Sequence, residues 1–155
     1  MTTVGLISDT HGLIRPEALQ AMRGVDWIVH AGDVGNTAVL AALEKIAPVH
    51  AVRGNVDRGA WADQLAESCV VEMGGGLLYV LHDLNQLDLD PVAAGFSVVV
   101  FGHSHRPSAV WKEGVLYVNP GSAGPPRFDL PVTLARLQFG PGPPQVEIIP
   151  LDRAD

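Results

Sequence analysis

The chain has 155 residues, 47% of them hydrophobic and 17% charged, and a formal net charge of −7. That length suits one domain spanning 1–155 with a sizeable core, and the acidic balance excludes a general nucleic-acid binder, which needs clustered Lys and Arg. The lone Cys69 excludes an internal disulfide framework, and no apolar run approaches the roughly 20 residues that cross a bilayer. With no basic, apolar leader in the first residues, the expected compartment is the reducing cytoplasm.

In chain order, the first half alternates short β-like runs with helical ones. Val4–Ser8 predicts a strand, Pro16–Arg23 a short helix with Pro in its first turn, and Trp27–His30 a second strand. Asn36 stands where it would cap an Ala- and Leu-rich helix over Thr37–Ile46, and Val49–Arg53 predicts a third strand. Strand, helix and strand at this spacing imply parallel βαβ units. The second half reads as mostly antiparallel. Cys69–Met73 and Leu77–Leu81 flank Gly74-Gly75-Gly76, and Ala109–Lys112 and Leu116–Asn119 flank Glu113-Gly114, both hairpin signals. Asp90–Ala94 predicts a short helix and Ser97–Phe101 a buried strand. Val132–Phe139 and Val146–Ile149 flank a Gly/Pro-rich tip. Two mixed sheets packed face to face with helices outside, a four-layer αββα arrangement, would bury both halves.

Polar clusters follow five of these strands: Asp9-Thr10-His11, Gly32-Asp33, Gly54-Asn55-Val56-Asp57, His82-Asp83 and Gly102-His103-Ser104-His105. Ligands of α/β sheets bind outside the carboxyl ends of strands. Residues at i and i+2 of extended chain point the same way, so Asp9 with His11, and His103 with His105, can face a common centre. The preceding glycines permit tight turns and close backbone approach. An oxygen and imidazole donor set without thiolate suits a catalytic divalent ion, not a cysteine-bound structural zinc.

The order DxH, GD, GN, H, GHxH resembles the calcineurin-like metallophosphoesterases. Asn119-Pro120-Gly121-Ser122, with Pro126-Arg127 after it, is similar to their small YfcE-like branch. The resemblance runs from Val4 to about Arg127. It implies two divalent ions, with Asp9, His11 and His105 on one, Asn55, His82 and His103 on the other, and Asp33 bridging. Manganese is the expected metal, with zinc, iron, nickel, cobalt or magnesium as alternatives. The implied activity is a phosphodiesterase acting on a small diester, in which a metal-bridging hydroxide attacks phosphorus in line. Asp33, Asn55, His82 and Arg127 are the expected catalytic residues. Arg127 leads Arg53 and Arg106 as the cation on the phosphoryl oxygens. Two such ions against two carboxylates leave a positive centre in an acidic protein.

Two positions depart from the pattern. Many relatives carry His after the GN asparagine, where it serves the leaving group; here that residue is Val56, which holds no proton. His82 is followed by Asp83 in place of the usual Gly, and the acidic loop Asp83–Asp90 stands to narrow the pocket or repel polyanions. The alternatives are a phosphomonoesterase or nucleotidase, against which Val56 counts, and a non-catalytic scaffold of the same fold, against which the complete donor set counts. Relatives of this type also suggest a homo-oligomer. His30 and His50 read as ordinary strand histidines, with a supporting role beside Asp33 as the alternative for His30. Asp57 reads as a turn or supporting residue, and Asn119 to Ser122 as either a plain turn or a site contact. Trp61 and Trp111 read as core or interface residues, and Cys69 as a small buried hydrophobe.

Overall fold

The computed structural model describes residues 1–151. The strands are β1 (Thr2–Ile7), β2 (Trp27–His30), β3 (Val49–Ala51), β4 (Ser68–Met73), β5 (Gly76–Leu81), β6 (Val98–Val100), β7 (Ser108–Lys112), β8 (Val115–Asn119), β9 (Thr133–Phe139) and β10 (Gln145–Pro150). The helices are α1 (Pro16–Ala21), α2 (Thr37–Glu44), α3 (Ala60–Asp63) and α4 (Pro91–Ala94), with a 3₁₀ turn at Leu84–Gln86. One sheet runs β10-β9-β1-β2-β3 and the other β4-β5-β6-β8-β7.

The first sheet follows the expected βαβ logic. β1, β2 and β3 are parallel, and β9 and β10 add antiparallel to the β1 edge. Asn36 caps α2 by accepting from the Val39 N–H, as its sequence position suggests. The second half of the chain is mostly antiparallel, as expected: β4 pairs with β5, β7 with β8, and β9 with β10 and β1 in that sense. The centre of the second sheet is the exception. β5, β6 and β8 run parallel, and only the edge strands β4 and β7 are antiparallel. Both hairpins form where the Gly turns predicted them. Turn chemistry reports pairing between consecutive strands only, and it is silent on β6 sliding between β5 and β8. Several elements end earlier than expected: α1 stops at Ala21, α2 at Glu44, and β3 at Ala51.

Alternating side chains from both sheets meet in one layer that includes Leu6, Val29, Leu78, Val98, Leu116 and Leu137. Each fully buried aliphatic there contributes about 1.5–3 kcal/mol relative to exposure. Met22, Val39 and Leu43 of the α1 and α2 regions cover the outer face of the first sheet through Ile7, Ile28 and Leu134. The outer face of the second sheet, around Tyr79, Leu81 and Val99, is covered more thinly by Phe96 and the leucines of segment 84–89. Cys69 packs half-buried against the central layer, and burial pushes its thiol pKa up, which suits a small apolar residue. Trp61 joins the helix-side core, whereas Trp111 on the edge strand β7 is 49% exposed.

Candidate metal centre

The loops that follow β1, β2 and β3 leave the same edge of the first sheet, because those strands are parallel. They are stitched together beyond the strand ends: Asp9 N–H donates to the Gly32 carbonyl at 3.0 Å and His11 N–H to that of Asp33 at 2.9 Å. The loops after β5 and β6 are joined likewise, with Gly102 N–H donating to the His82 carbonyl at 2.9 Å. Five donor-bearing loops therefore meet between the two sheets.

The side chains converge on two buried carboxylates. Asp9 is fully buried and Asp33 nearly so. Asp9 Oδ1 lies 3.4 Å from His105 Nε2, 3.9 Å from His11 Nε2 and 3.9 Å from His82 Nε2. Asp33 Oδ2 lies 3.2 Å from His82 Nε2 and 3.7 Å from His11 Nε2. His103 Nδ1 stands 3.3 Å from Asn55 Oδ1, and the His103 ring meets the His82 ring edge-on at 5.2 Å. All seven expected ligands thus fall into one connected cluster. Arg127 sits on an exposed loop, and no ion pair ties it to the cluster among the described residues.

Two groups in this cluster have the spacing to hold an ion: Asp9, His11 and His105, and Asp9, Asp33 and His82. The second differs from the expected set in including Asp9. Asp9 Oδ1, His11 Nε2 and His82 Nε2 are buried without a hydrogen-bond partner among the described residues. A buried, unpaired carboxylate oxygen is costly unless a cation meets it. The spacing is also close to that of donors around one divalent ion with bonds of about 2.1 Å. The residues present therefore fit a metal.

The convergence does not come from extended i, i+2 geometry. Asp9, His11, Asp33, His103 and His105 all have left-handed backbone, with φ of 56°, 49°, 55°, 75° and 64°. Strained conformations of this kind cost about 1–3 kcal/mol each and gather at functional sites. The glycines act as expected, by close approach. A β-carbon on Gly32 would meet the His82 ring 2.7 Å away, and one on Gly54 would overlap the Asp33 carboxylate. Gly54→Ala is accordingly expected to cost about 1–3 kcal/mol by overpacking and to displace Asp33. A lowered Tm together with reduced Mn²⁺ content by elemental analysis would show both.

Supporting contacts fix each donor. His82 Nδ1–H donates to the Ala31 carbonyl at 2.8 Å, leaving Nε2 free for the carboxylates. Burial alone would lower the His82 pKa, but the neighbouring carboxylates of Asp33 and Asp9 raise it. Burial likewise would raise Asp33, yet His82 and the Val56 N–H hold its pKa below the usual carboxylate value. Asp9 Oδ2 accepts from Ser8 Oγ at 2.7 Å and from the His103 N–H at 3.1 Å.

Four residues beyond the donors, Asp57, Asn119, Ser122 and His30, help build the site. Asp57 accepts from the N–H groups of Val34, Gly35 and Gly54, tying the β2 loop to the β3 loop. Asn119 donates to the Gly102 carbonyl and to Ser104 Oγ, and Ser122 Oγ donates to the Asp9 carbonyl, so Asn119 to Ser122 brace the donor loops from behind. His30 takes the supporting role. Its Nδ1 accepts from the Gly32 N–H, its Nε2 pairs with Thr10 Oγ1, and Thr10 in turn donates to the Val34 carbonyl. His50 stays outside, packed on Trp27. Arg53 is engaged elsewhere, 3.1 Å from Glu67 and 3.6 Å from Asp63. Arg15, which sequence reasoning passed over, donates to the Gly124 carbonyl beside the first donor loop.

His30 carries a pH prediction. Burial lowers its pKa to about 4, ahead of the opposing pull of Asp9 and Asp57. The folded value lies below the unfolded one, so stability from this residue is full above about pH 6.5 and is lost as pH falls toward 4. Chelator-treated protein should lose about 2 kcal/mol through His30 between pH 6.5 and 5. Urea unfolding of the wild type and His30→Gln at both pH values reads this as a change in their stability difference; a constant difference contradicts it.

Two mixed sheets that gather Asp, Asn and His donors at one strand edge define a metallophosphoesterase. The sequence profile of the calcineurin-like phosphoesterase superfamily domain matches residues 2–140, and the chain belongs to that superfamily. It is 37% identical over 139 residues to a probable metallophosphoesterase of Methanothermobacter thermautotrophicus, covering 83% of this chain and 81% of the relative. It is 29% identical over 160 residues to the phosphodiesterase YfcE of Escherichia coli, covering 84% of each. The structure of an archaeal phosphodiesterase shares the fold, with a TM-score of 0.79 at 20% identity over 96% of this chain and 100% of that one.

Proposed function

We propose that the protein is a dinuclear metal-dependent phosphodiesterase that hydrolyses small diesters. The observation that carries this reading is the buried Asp9 Oδ1, which has three imidazole nitrogens around it and no hydrogen-bond donor among the described residues. Asp9, His11 and His105 would hold one ion, Asn55, His82 and His103 the second, and Asp33 would lie between them. Asp33 Oδ2 already stands between His11 and His82, a histidine of each set.

Bound there, two divalent ions, with manganese the proposed native metal, would supply an acidified water and neutralise charge on the phosphoryl oxygens. The chain's own residues set the rest. The Ala31 carbonyl fixes the His82 ring in place, and the left-handed loop after β6 sets His103 beside His82 and His105 beside His11. Arg127 is the proposed cation for a phosphoryl oxygen, since its loop follows Gly124, which packs directly on the Asp9 and Thr10 carbonyls. Val56, 47% exposed beside Asn55, can give no proton to a leaving oxygen. Without that help, worth roughly 10²–10⁴-fold, substrates with acidic leaving groups are favoured over alkyl monoesters. The single cysteine, Cys69, is compatible with the proposed cytoplasmic location, and the exposed Val110 and Trp111 on the edge strand β7 support self-association.

The test compares a bis-aryl phosphodiester with the matching aryl monoester, with Mn²⁺ and after chelation. The reading expects Mn²⁺-dependent turnover that is faster on the diester. Faster monoester turnover, or turnover that survives chelation, overturns it.

A further inference from the structure

A cavity of about 350 Å³ opens beside the metal cluster, with His82, His103 and Asn55 on its inner wall. His82 is only 5% exposed there, and its Nε2 lacks a hydrogen-bond partner among the described residues. The floor is apolar, formed by the buried side chains of Tyr79 and Leu81, which lie on the outer face of the second sheet. The charged rim consists of Arg53, Glu67, Asp83 and Asp88. Arg53 and Glu67 pair with each other at 3.1 Å, which removes that cation from service. Asp83 uses Oδ1 to cap the Asn85 N–H, and neither Asp83 nor Asp88 has a cationic partner among the described residues. The cavity is therefore wide enough for a small alcohol, greasy below, and negative at its mouth.

We propose that this cavity receives one ester arm of the diester and selects an amine-bearing alcohol, such as an aminoalcohol with a quaternary or protonated nitrogen. The inference rests on the phosphodiesterase reading and deepens it. The single negative charge of the diester would lie at the positive centre that two divalent ions would make with Asp9 and Asp33. The positive end of the arm faces Asp83 and Asp88 at the mouth. An arm that carries its own phosphate or carboxylate meets like charge at the same place and is rejected.

The test uses Mn²⁺-loaded protein and p-nitrophenyl diesters that share one leaving group and differ in the second arm. That arm is choline, its uncharged carbon isostere 3,3-dimethylbutanol, or a carboxyalkyl alcohol. The expected kcat/KM favours choline over the isostere by about tenfold, the effect of two partly exposed carboxylates on one cation, and the carboxyalkyl diester is slowest. In the double variant Asp83→Asn/Asp88→Asn, whose side-chain amide oxygen can still cap the Asn85 N–H, the preference should collapse toward one. Equal turnover of choline and isostere diesters in the wild type, or a preference unchanged in the double variant, overturns the proposal. Absence of Mn²⁺-dependent turnover on all three overturns the phosphodiesterase reading instead. Calorimetric binding of choline phosphate against 3,3-dimethylbutyl phosphate then decides the charge preference by itself.

Discussion

Asp33→Ala is expected to abolish metal-dependent hydrolysis while leaving the fold in place. Asp33 Oδ2 is the atom between His11 and His82, at 3.7 and 3.2 Å, one histidine from each proposed donor set. Removing residues that only support metal ligands typically costs 10–100-fold, so loss of the shared carboxylate should exceed about 10³-fold. The fold should survive because Asp33 contributes little to the apolar layers. Its Oδ1 accepts one bond, from the Val56 N–H, worth about 1 kcal/mol. Deleting it also relieves repulsion with the buried charge of Asp9. Circular dichroism and Tm should therefore stay near wild type while Mn²⁺ content and turnover collapse. Retained activity would place the shared position elsewhere.

The second large effect runs in the opposite direction. Val56→His should raise activity toward alkyl diesters by about 10²-fold or more, the lower range of general acid catalysis, with a smaller gain on p-nitrophenyl diesters. Val56 is exposed, and its N–H is held by Asp33, so a longer side chain there has room and a fixed starting point beside the centre. The new activity should fall at high pH as the imidazole loses its proton. A variant with an intact metal site and no gain on alkyl substrates would show that residue 56 points away from the leaving oxygen.

How far the sequence discloses all this differs from feature to feature. Asp9, His11, Asp33, Asn55, His82, His103 and His105 are readable because each follows a short apolar run, and parallel strands deliver their ends to one edge. The local shape that brings them together is not readable. It depends on Asp9, His11, Asp33, His103 and His105 adopting left-handed backbone, which Asp and His enter more readily than most residues but still uncommonly, so residue type does not mark which positions will do so. Only the surrounding packing over-determines it. The glycines are readable as tight points, but not as the particular gaps that admit the Asp33 carboxylate at Gly54 and the His82 ring at Gly32. The parallel pairing of β6 with β5 and β8 is equally hidden, since no turn joins those strands. Helix α3, at four residues, is too short for any periodicity to announce. Asp57 and Asn119 look like turn residues in sequence; Asp57 sits in the loop after β3, and Asn119 is the last residue of β8. Their function appears only once the loops they join, 23 and 17 residues away in the chain, are seen side by side.

An anomalous-scattering map from crystals grown with Mn²⁺ tests the central claim most directly. The account predicts two manganese peaks flanking Asp33, one against Asp9, His11 and His105 and the other against Asn55, His82 and His103. A map with no peak in this cluster, or with a single peak that Asp33 does not touch, would contradict it.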